Sequence, residues 1–318
     1  MRTYLAILCA LVAVCFAQDH VCRAIAFGGG GDRGAYEAGA FKALVEFQTP
    51  DKVRYDVVTG ISAGSWNSAG LSQFKIGDEK AAAAYLEKTW LNTRASDVWK
   101  HWFPGGPLEG LFLKSGVLDS SPMQAYIKKN VDLEKTKASG RTINIGATCL
   151  DRNTFVLFNE TFVDFHTAVI ASSSIPGIFP TISINGENYV DGGIEYMTPV
   201  SDAIALCMAK YNRMGINKVK VSVDVILAVA DLSIPKYLSK LLITPFVLVR
   251  SFLNVIKNIF VEDVQTARMS FPNAEIRVIK PLEWLPGYFL GFDRARELLD
   301  WGYADAKRVL NETSNSWF

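Results

Sequence analysis

Histidine is nearly absent from this chain, with three in 318 residues, at His20, His101 and His166. A Ser–His hydrolytic relay therefore has few places from which to draw its base. There is no CxxC pair and no Cys/His cluster, so the spacing that holds a metal is missing and no metal is expected. Excess charge is missing too. The formal net charge is +1, with 20% charged residues, which removes the electrostatic case for a nucleic acid partner. No uninterrupted apolar run reaches the roughly 20 residues of a bilayer-spanning helix. Internal repeats are lacking, as are linkers rich in Ser, Pro or charge, so one domain is the economical organisation.

What is there begins with a leader-like segment. Met1-Arg2-Thr3, an apolar run from Tyr4 to Phe16, and Ala17 ahead of the polar Gln18-Asp19-His20 have the layout of a secretory signal peptide. The expected organisation is a signal over 1–17 and a single domain over 18–318, with an N-terminal anchor as the alternative. The mature chain would be secreted or delivered to an endomembrane lumen of lysosome or vacuole type. Cys9 and Cys15 would leave with the signal. Cys22, Cys149 and Cys207 would remain, an odd set that allows at most one intramolecular disulfide. In such a compartment Asn159-Glu160-Thr161 and Asn311-Glu312-Thr313 are glycosylation acceptors.

The apolar content, 49%, suffices for one large core. Val21–Phe27 is a β-rich run stopped by four glycines, and residues 33–48 follow with helical spacing through Phe41, Leu44 and Val45. A second strand, Val53–Thr59, leads into Gly60-Ile61-Ser62-Ala63-Gly64 and another helical stretch. Helices are predicted at 78–92, 164–173, 199–213, 236–268 and 293–310. Further strands are predicted at Thr142–Cys149, Phe155–Phe158, Thr181–Val190 and Val221–Val229. Alternating strands and helices joined by tight glycine turns indicate an α/β domain around a mainly parallel sheet.

Three motifs carry chemistry. The first is the GxSxG pentapeptide, with Ser62 between Gly60 and Gly64. Placed between a strand and a helix it forms a nucleophile elbow that exposes the serine hydroxyl. A hydroxyl needs a base, and neither His101 nor His166 lies in a recognisable catalytic setting. The second motif, Asp191-Gly192-Gly193, follows a strand and supplies a carboxylate. Alone it reads more readily as an ordinary Asp-Gly turn. The third is Gly28-Gly29-Gly30-Gly31-Asp32-Arg33-Gly34, a loop whose backbone N–H groups suit either a phosphate or an oxyanion. Gly29, Gly31 and Gly34 also fit a dinucleotide fingerprint, but Asp51 and Asp56 are poorly placed to complete it.

Taken in order, these three motifs resemble the patatin-like phospholipase family. Ala171-Ser172-Ser173-Ser174-Ile175-Pro176-Gly177-Ile178-Phe179-Pro180 is similar to a further block of that family. So are Leu290-Gly291-Phe292-Asp293 and Gly302-Tyr303. The resemblance covers about residues 21–310 and implies a three-layer α/β/α patatin-like fold with a central, mainly parallel sheet. It implies a lipid acyl hydrolase of phospholipase A type, with Ser62 as nucleophile, Asp191 as general base, an acyl-enzyme intermediate and no cofactor. Gly60 and Gly64 would shape the elbow, and Gly192 and Gly193 the Asp turn. The oxyanion would be held by the loop containing Gly29, Gly30, Gly31, Arg33 and Gly34, chiefly by N–H groups around Gly30 and Gly31. Phe27 departs from the small or acidic residue usual before the glycines.

The expected partner is membrane or micellar lipid, with neither nucleic acid nor a nucleotide cofactor. Two stretches are candidates for an apolar acyl site. One contains Trp99, Trp102, Phe103, Leu111 and Phe112. The other is a helical face through Leu242, Phe246, Val249, Leu253, Ile256 and Phe260, which reads first as a core-facing stripe, with an interfacial helix as the alternative. Acyl transfer to a lipid alcohol, or a low-turnover storage or binding protein, is compatible with the same motifs. A dinucleotide oxidoreductase leaves Ser62 and Asp191 unexplained.

Overall fold

Short β-branched runs form the strands of this protein, and apolar residues spaced three and four apart form the helices between them. The computed structural model describes residues 20–228, 244–287 and 289–312. The predicted signal over 1–17, Leu242 of the second apolar stretch, and Thr313 of the second glycosylation triplet lie outside the described residues. The first half runs β1 (His20–Phe27), α1 (Gly34–Phe47), β2 (Val57–Ile61), α2 (Ala63–Leu71), α3 (Glu79–Asn92), α4 (Ala95–Val98), α5 (Gly106–Leu113), α6 (Ser121–Asn130) and α7 (Leu133–Ala138). The second half runs β3 (Thr142–Cys149), β4 (Thr154–Asn159), α8 (Phe165–Ser172), β5 (Ile182–Ile184), β6 (Glu187–Asp191), α9 (Val200–Arg213), β7 (Val219–Ile226), α10 (Thr244–Ser270), β8 (Glu275–Ile279) and α11 (Ala295–Asn311).

The described strands form one eight-stranded sheet in the order β5-β6-β3-β2-β1-β7-β8, with β4 also paired to β3. From β3 through β8 the neighbours are parallel, whereas β4, β5 and β6 join antiparallel. Because side chains alternate along a strand, β1 feeds both faces. Ile25 and Phe27 pack into the cluster under α1, α2, α3, α8 and α11. Cys22, Ala24 and Ala26 pack into the cluster under α9 and α10. The result is the three-layer α/β/α arrangement.

Cys22 and Cys207 are disulfide-bonded, tying β1 to α9 across 185 positions, and Cys149 is a buried free thiol. One bond and one leftover thiol is the most that an odd set allows.

Two strand expectations change. Val53–Thr59 splits into a 3-10 turn at Pro50–Val53 and a strand that begins only at Val57. Thr181–Val190 is a hairpin, β5 turning into β6 through Asn185 at φ 54 and Gly186 at φ 84. Asn-Gly adopts two successive positive φ values at little cost and reverses the chain in two residues. β8 and the short helices α4 to α7 were not anticipated, since each is too brief to show a clear period. Among the described residues no helix is long and apolar enough to cross a membrane.

Candidate active site

β2 ends at Ile61 and α2 begins at Ala63, so Ser62 carries the whole change of direction. Its backbone sits at φ 55, ψ −126, a region that L residues occupy only when their surroundings hold them there. Gly60 and Gly64 allow the turn to close. A Cβ on Gly60 would lie 2.3 Å from the Gly64 carbonyl oxygen, and one on Gly64 would lie 2.4 Å from those of Phe27 and Gly28.

Asp191 reaches Ser62 through the sheet itself. β3 carries β4 along one edge from Asn144 to Cys149. Its other edge is shared by two strands in succession: β2 pairs as far as Ile61 opposite Gly146, and β6 takes over with Asp191 opposite Ala147. β2 is parallel to β3 and β6 is antiparallel, so their carboxyl ends meet head-on at consecutive rungs. Had 181–190 been a single strand, no such meeting would occur.

The Ser62 hydroxyl lies close enough to the Asp191 carboxyl to favour its ionised form. Both are buried, Ser62 at 6% exposure and Asp191 at 5%. Desolvation pushes the Asp191 carboxyl up to about 7, opposed by the Ser62 hydroxyl and by the Gly193 N–H. That N–H donates to Asp191 Oδ1 at 2.8 Å. Gly192 lets the turn lie on β3, where a Cβ would fall 2.8 Å from the Gly146 carbonyl oxygen.

A serine turn at the end of α8 clasps both residues. The Ser62 N–H donates to the Ser172 carbonyl at 3.1 Å and to Ser172 Oγ at 3.0 Å, while the Asp191 N–H donates to the Ser174 carbonyl at 2.9 Å. Ser173 Oγ donates to the Val169 carbonyl and accepts from the Trp66 indole N–H at 2.9 Å. The serines belong to the block noted in the sequence, yet a run of serines carries no signal of this clasping role.

The glycine loop backs directly on the serine, since a Cβ on Gly29 would lie 3.2 Å from that of Ser62. Its N–H groups divide by use. Gly28 donates to the Ile226 carbonyl, Gly29 to Met197, Arg33 to Gly30, and Gly34 to Asp32 and Gly31. Gly30 and Gly31 have no such acceptor among the described residues, and Gly31 lines the same cavity as Ser62. Gly34 is a packing position, where a Cβ would strike Trp90 at 2.2 Å. The Arg33 guanidinium lies over the Phe289 ring at 5.6 Å and 3.9 Å from the Asp32 carboxylate.

Asp263 on α10 braces the loop from behind. It accepts N–H groups from Met197 at 2.9 Å and Thr198 at 2.8 Å, and burial raises its carboxyl to about 7. No motif pointed to it.

The cavity beside Ser62 is small and open to solvent, and its walls include Trp66, Trp90, Met123, Phe179, Leu290 and Phe292. Among the described residues this is a different apolar set from either predicted acyl stretch. Phe103, Leu111 and Phe112 are exposed instead, and Phe260 packs into the core behind Gly28. No histidine lines the cavity among the described residues. His166 bonds the Val131 carbonyl at 2.8 Å, and His101 packs on Trp99. No cluster of His, Cys, Asp and Glu suited to a metal occurs among the described residues.

A mainly parallel sheet between two helical layers, turning sharply at a buried serine near a desolvated carboxyl, defines an α/β protein with a candidate hydrolytic site. The patatin-like phospholipase model matches residues 25–204, and the chain belongs to that family. Uncharacterized protein YjjU of Escherichia coli (strain K12) is 27% identical over 176 residues, which are 55% of this chain and 46% of that protein. The chain thus spans about half the length of this curated relative. Among solved structures, VipD from Legionella pneumophila aligns with 93% of this chain and 67% of its own, at 13% identity and a TM-score of 0.42. ExoU, in its complex with SpcU from the type III secretion system of Pseudomonas aeruginosa, aligns with 92% of this chain and 52% of its own, at 14% identity and a TM-score of 0.36.

Proposed function

We propose that this protein is a lipid acyl hydrolase of phospholipase A type that cleaves carboxylic esters of glycerolipids with Ser62 as nucleophile and Asp191 as base. The observation that supports the proposal is the head-on meeting of β2 and β6 on β3, which brings the Ser62 hydroxyl near a carboxyl raised to about 7. An ordinary carboxylate near 4 is too weak a base for an alcohol, whereas one poised near neutrality is matched to the task. Asp191 takes the Ser62 proton as Oγ attacks the acyl carbonyl, and the Gly30 and Gly31 N–H groups receive the developing oxyanion. Collapse expels the alcohol, which leaves with the proton from Asp191. Water, activated by the same carboxylate, then frees the fatty acid.

The substrate is met at a lipid surface. Residues 100–119 leave the fold and return at the antiparallel bridge between Lys100 and Asp119, where the Val117 and Leu118 N–H groups donate to the Gly177 and Ile178 carbonyls beside the cavity wall. The excursion exposes Phe103, Leu108, Leu111, Phe112 and Leu113, with Phe103 at 93% and Phe112 at 75% exposure. A cluster of large apolar side chains held in water is suited to a bilayer or micelle. Residence in a secretory lumen is supported by the signal-like segment, the Cys22–Cys207 disulfide and the exposed Asn159 acceptor.

The test is labelling with a fluorophosphonate probe, with ester turnover measured in parallel. Capture at Ser62 is expected, lost in Ser62→Ala, with turnover retained in a folded His101→Asn, His166→Asn double variant. Loss of turnover in that double variant would replace the Ser–Asp scheme with a histidine base.

A further inference from the structure

A second small cavity lies beyond the first. The two share Trp66 and Trp90 as common walls. Phe292, Trp90, Trp66 and Tyr126 form a continuous aromatic stack from one to the other. Phe292 stacks on Trp90 at 6.3 Å, Trp90 on Trp66 at 5.8 Å, and Trp66 on Tyr126 at 5.6 Å between ring centroids. Trp66 and Gly70 stand about one turn apart on α2, which begins directly after Ser62, so the helix leads from the nucleophile, past Trp66, to the wall of the second cavity.

The second cavity offers a ligand little polarity. Tyr85 donates to the Asn130 carbonyl, Asn130 to the Tyr126 carbonyl, and Tyr126 pairs with Thr93. Asn67 is held by Gly34, Glu37 and Trp90. With those groups satisfied, aromatic faces and aliphatic side chains remain, a lining for an alkyl chain. The two tryptophans differ in freedom. Trp90 is 2% exposed and anchored through its indole N–H to Asn67 at 2.7 Å. Trp66 is only half-buried and is held by a single hydrogen bond, to Ser173.

We propose that the two cavities are successive segments of one acyl channel and that Trp66 is the partition between them, making it the residue that sets acyl-chain length. This rests on the reading of Ser62 as the esterolytic nucleophile. A short acyl group ends in the first cavity. A long one turns the Trp66 indole away from Ser173 and runs on into the second, gaining apolar burial for each added methylene.

The experiment compares kcat/KM for p-nitrophenyl butyrate, octanoate and palmitate in the full chain and two variants. Trp66→Ala merges the segments and is expected to raise the palmitate-to-butyrate ratio about tenfold or more. Thr89→Phe places a ring in the second cavity and is expected to lower the same ratio to a similar extent. Should Trp66→Ala fail to fold, Trp66→Phe, which keeps an aromatic ring but loses the bond to Ser173 and part of the indole's bulk, is expected to raise the ratio by a smaller factor. An active wild type whose ratio is unmoved in the folded Trp66 variants and in Thr89→Phe overturns the channel. A wild type inactive on all three esters overturns the hydrolase reading instead.

Discussion

At the scale of single residues, the chemistry depends on the cost of keeping Asp191 out of water. Its carboxyl is raised from 3.8 to about 7 by burial, so between these values the folded protein binds a proton that the unfolded chain releases. The linkage sign is then negative. As pH rises from about 4 to 7 this group removes stability, and above about 7 the loss is complete, on the order of 4 kcal/mol. Asp191→Asn is expected to abolish turnover and to melt higher than wild type, with the Tm gap opening across that window and level beyond it. Asp263 is also raised to about 7, and the difference between the two proteins cancels its contribution. Equal Tm values at every pH would contradict a desolvated Asp191. In wild type, kcat/KM should rise with pH through about 7, since only the ionised carboxylate accepts the serine proton.

At the scale of elements, the site belongs to joints rather than to strands or helices. The Ser172–Ser174 turn closes α8 and holds the backbones of Ser62 and Asp191 together. Ser172→Ala removes the hydroxyl from the Ser62 N–H and leaves the carbonyl in place. The expected cost is about 1 kcal/mol of stability, with kcat falling more than KM rises, because alignment is lost while the acyl cavity is unchanged. Steady-state kinetics beside a denaturant titration would separate the two effects.

At the scale of the whole molecule, two features stand apart from the chemistry. The Cys22–Cys207 bond pins the second helical layer to the central strand, closing a loop of 185 positions. In the chain-entropy account such a loop is worth about 4 to 5 kcal/mol. Cys22→Ser with Cys207→Ser is therefore expected to lower the denaturation midpoint clearly, and an unchanged midpoint would show that the bond does not form. The exposed excursion acts at the other end of the molecule. Phe103→Ser with Phe112→Ser should depress turnover on phospholipid vesicles about tenfold more than turnover of a soluble ester, because the apolar area that enters the lipid is lost. Equal losses on both substrates would place these side chains outside lipid contact.

The local motifs and the parallel α/β core were legible in the residues alone. Glycine-flanked Ser62, the glycine loop and Asp191-Gly192-Gly193 each announce a turn that only small residues can make, and such information is local. Continuous β-rich runs located β1 and β3, which are buried on both faces, and periodicity located the long helices, because burying one face of a helix imposes a short repeat. The meeting of Ser62 with Asp191 is not local. It required the Asn185-Gly186 reversal, which turns β6 antiparallel, and a β3 edge left vacant where β2 stops. Asp263, the serine clasp and the stacked tryptophans follow from the same cause. Each acts on a residue remote in sequence through a contact created when the layers pack, and no repeat along the chain encodes such a contact.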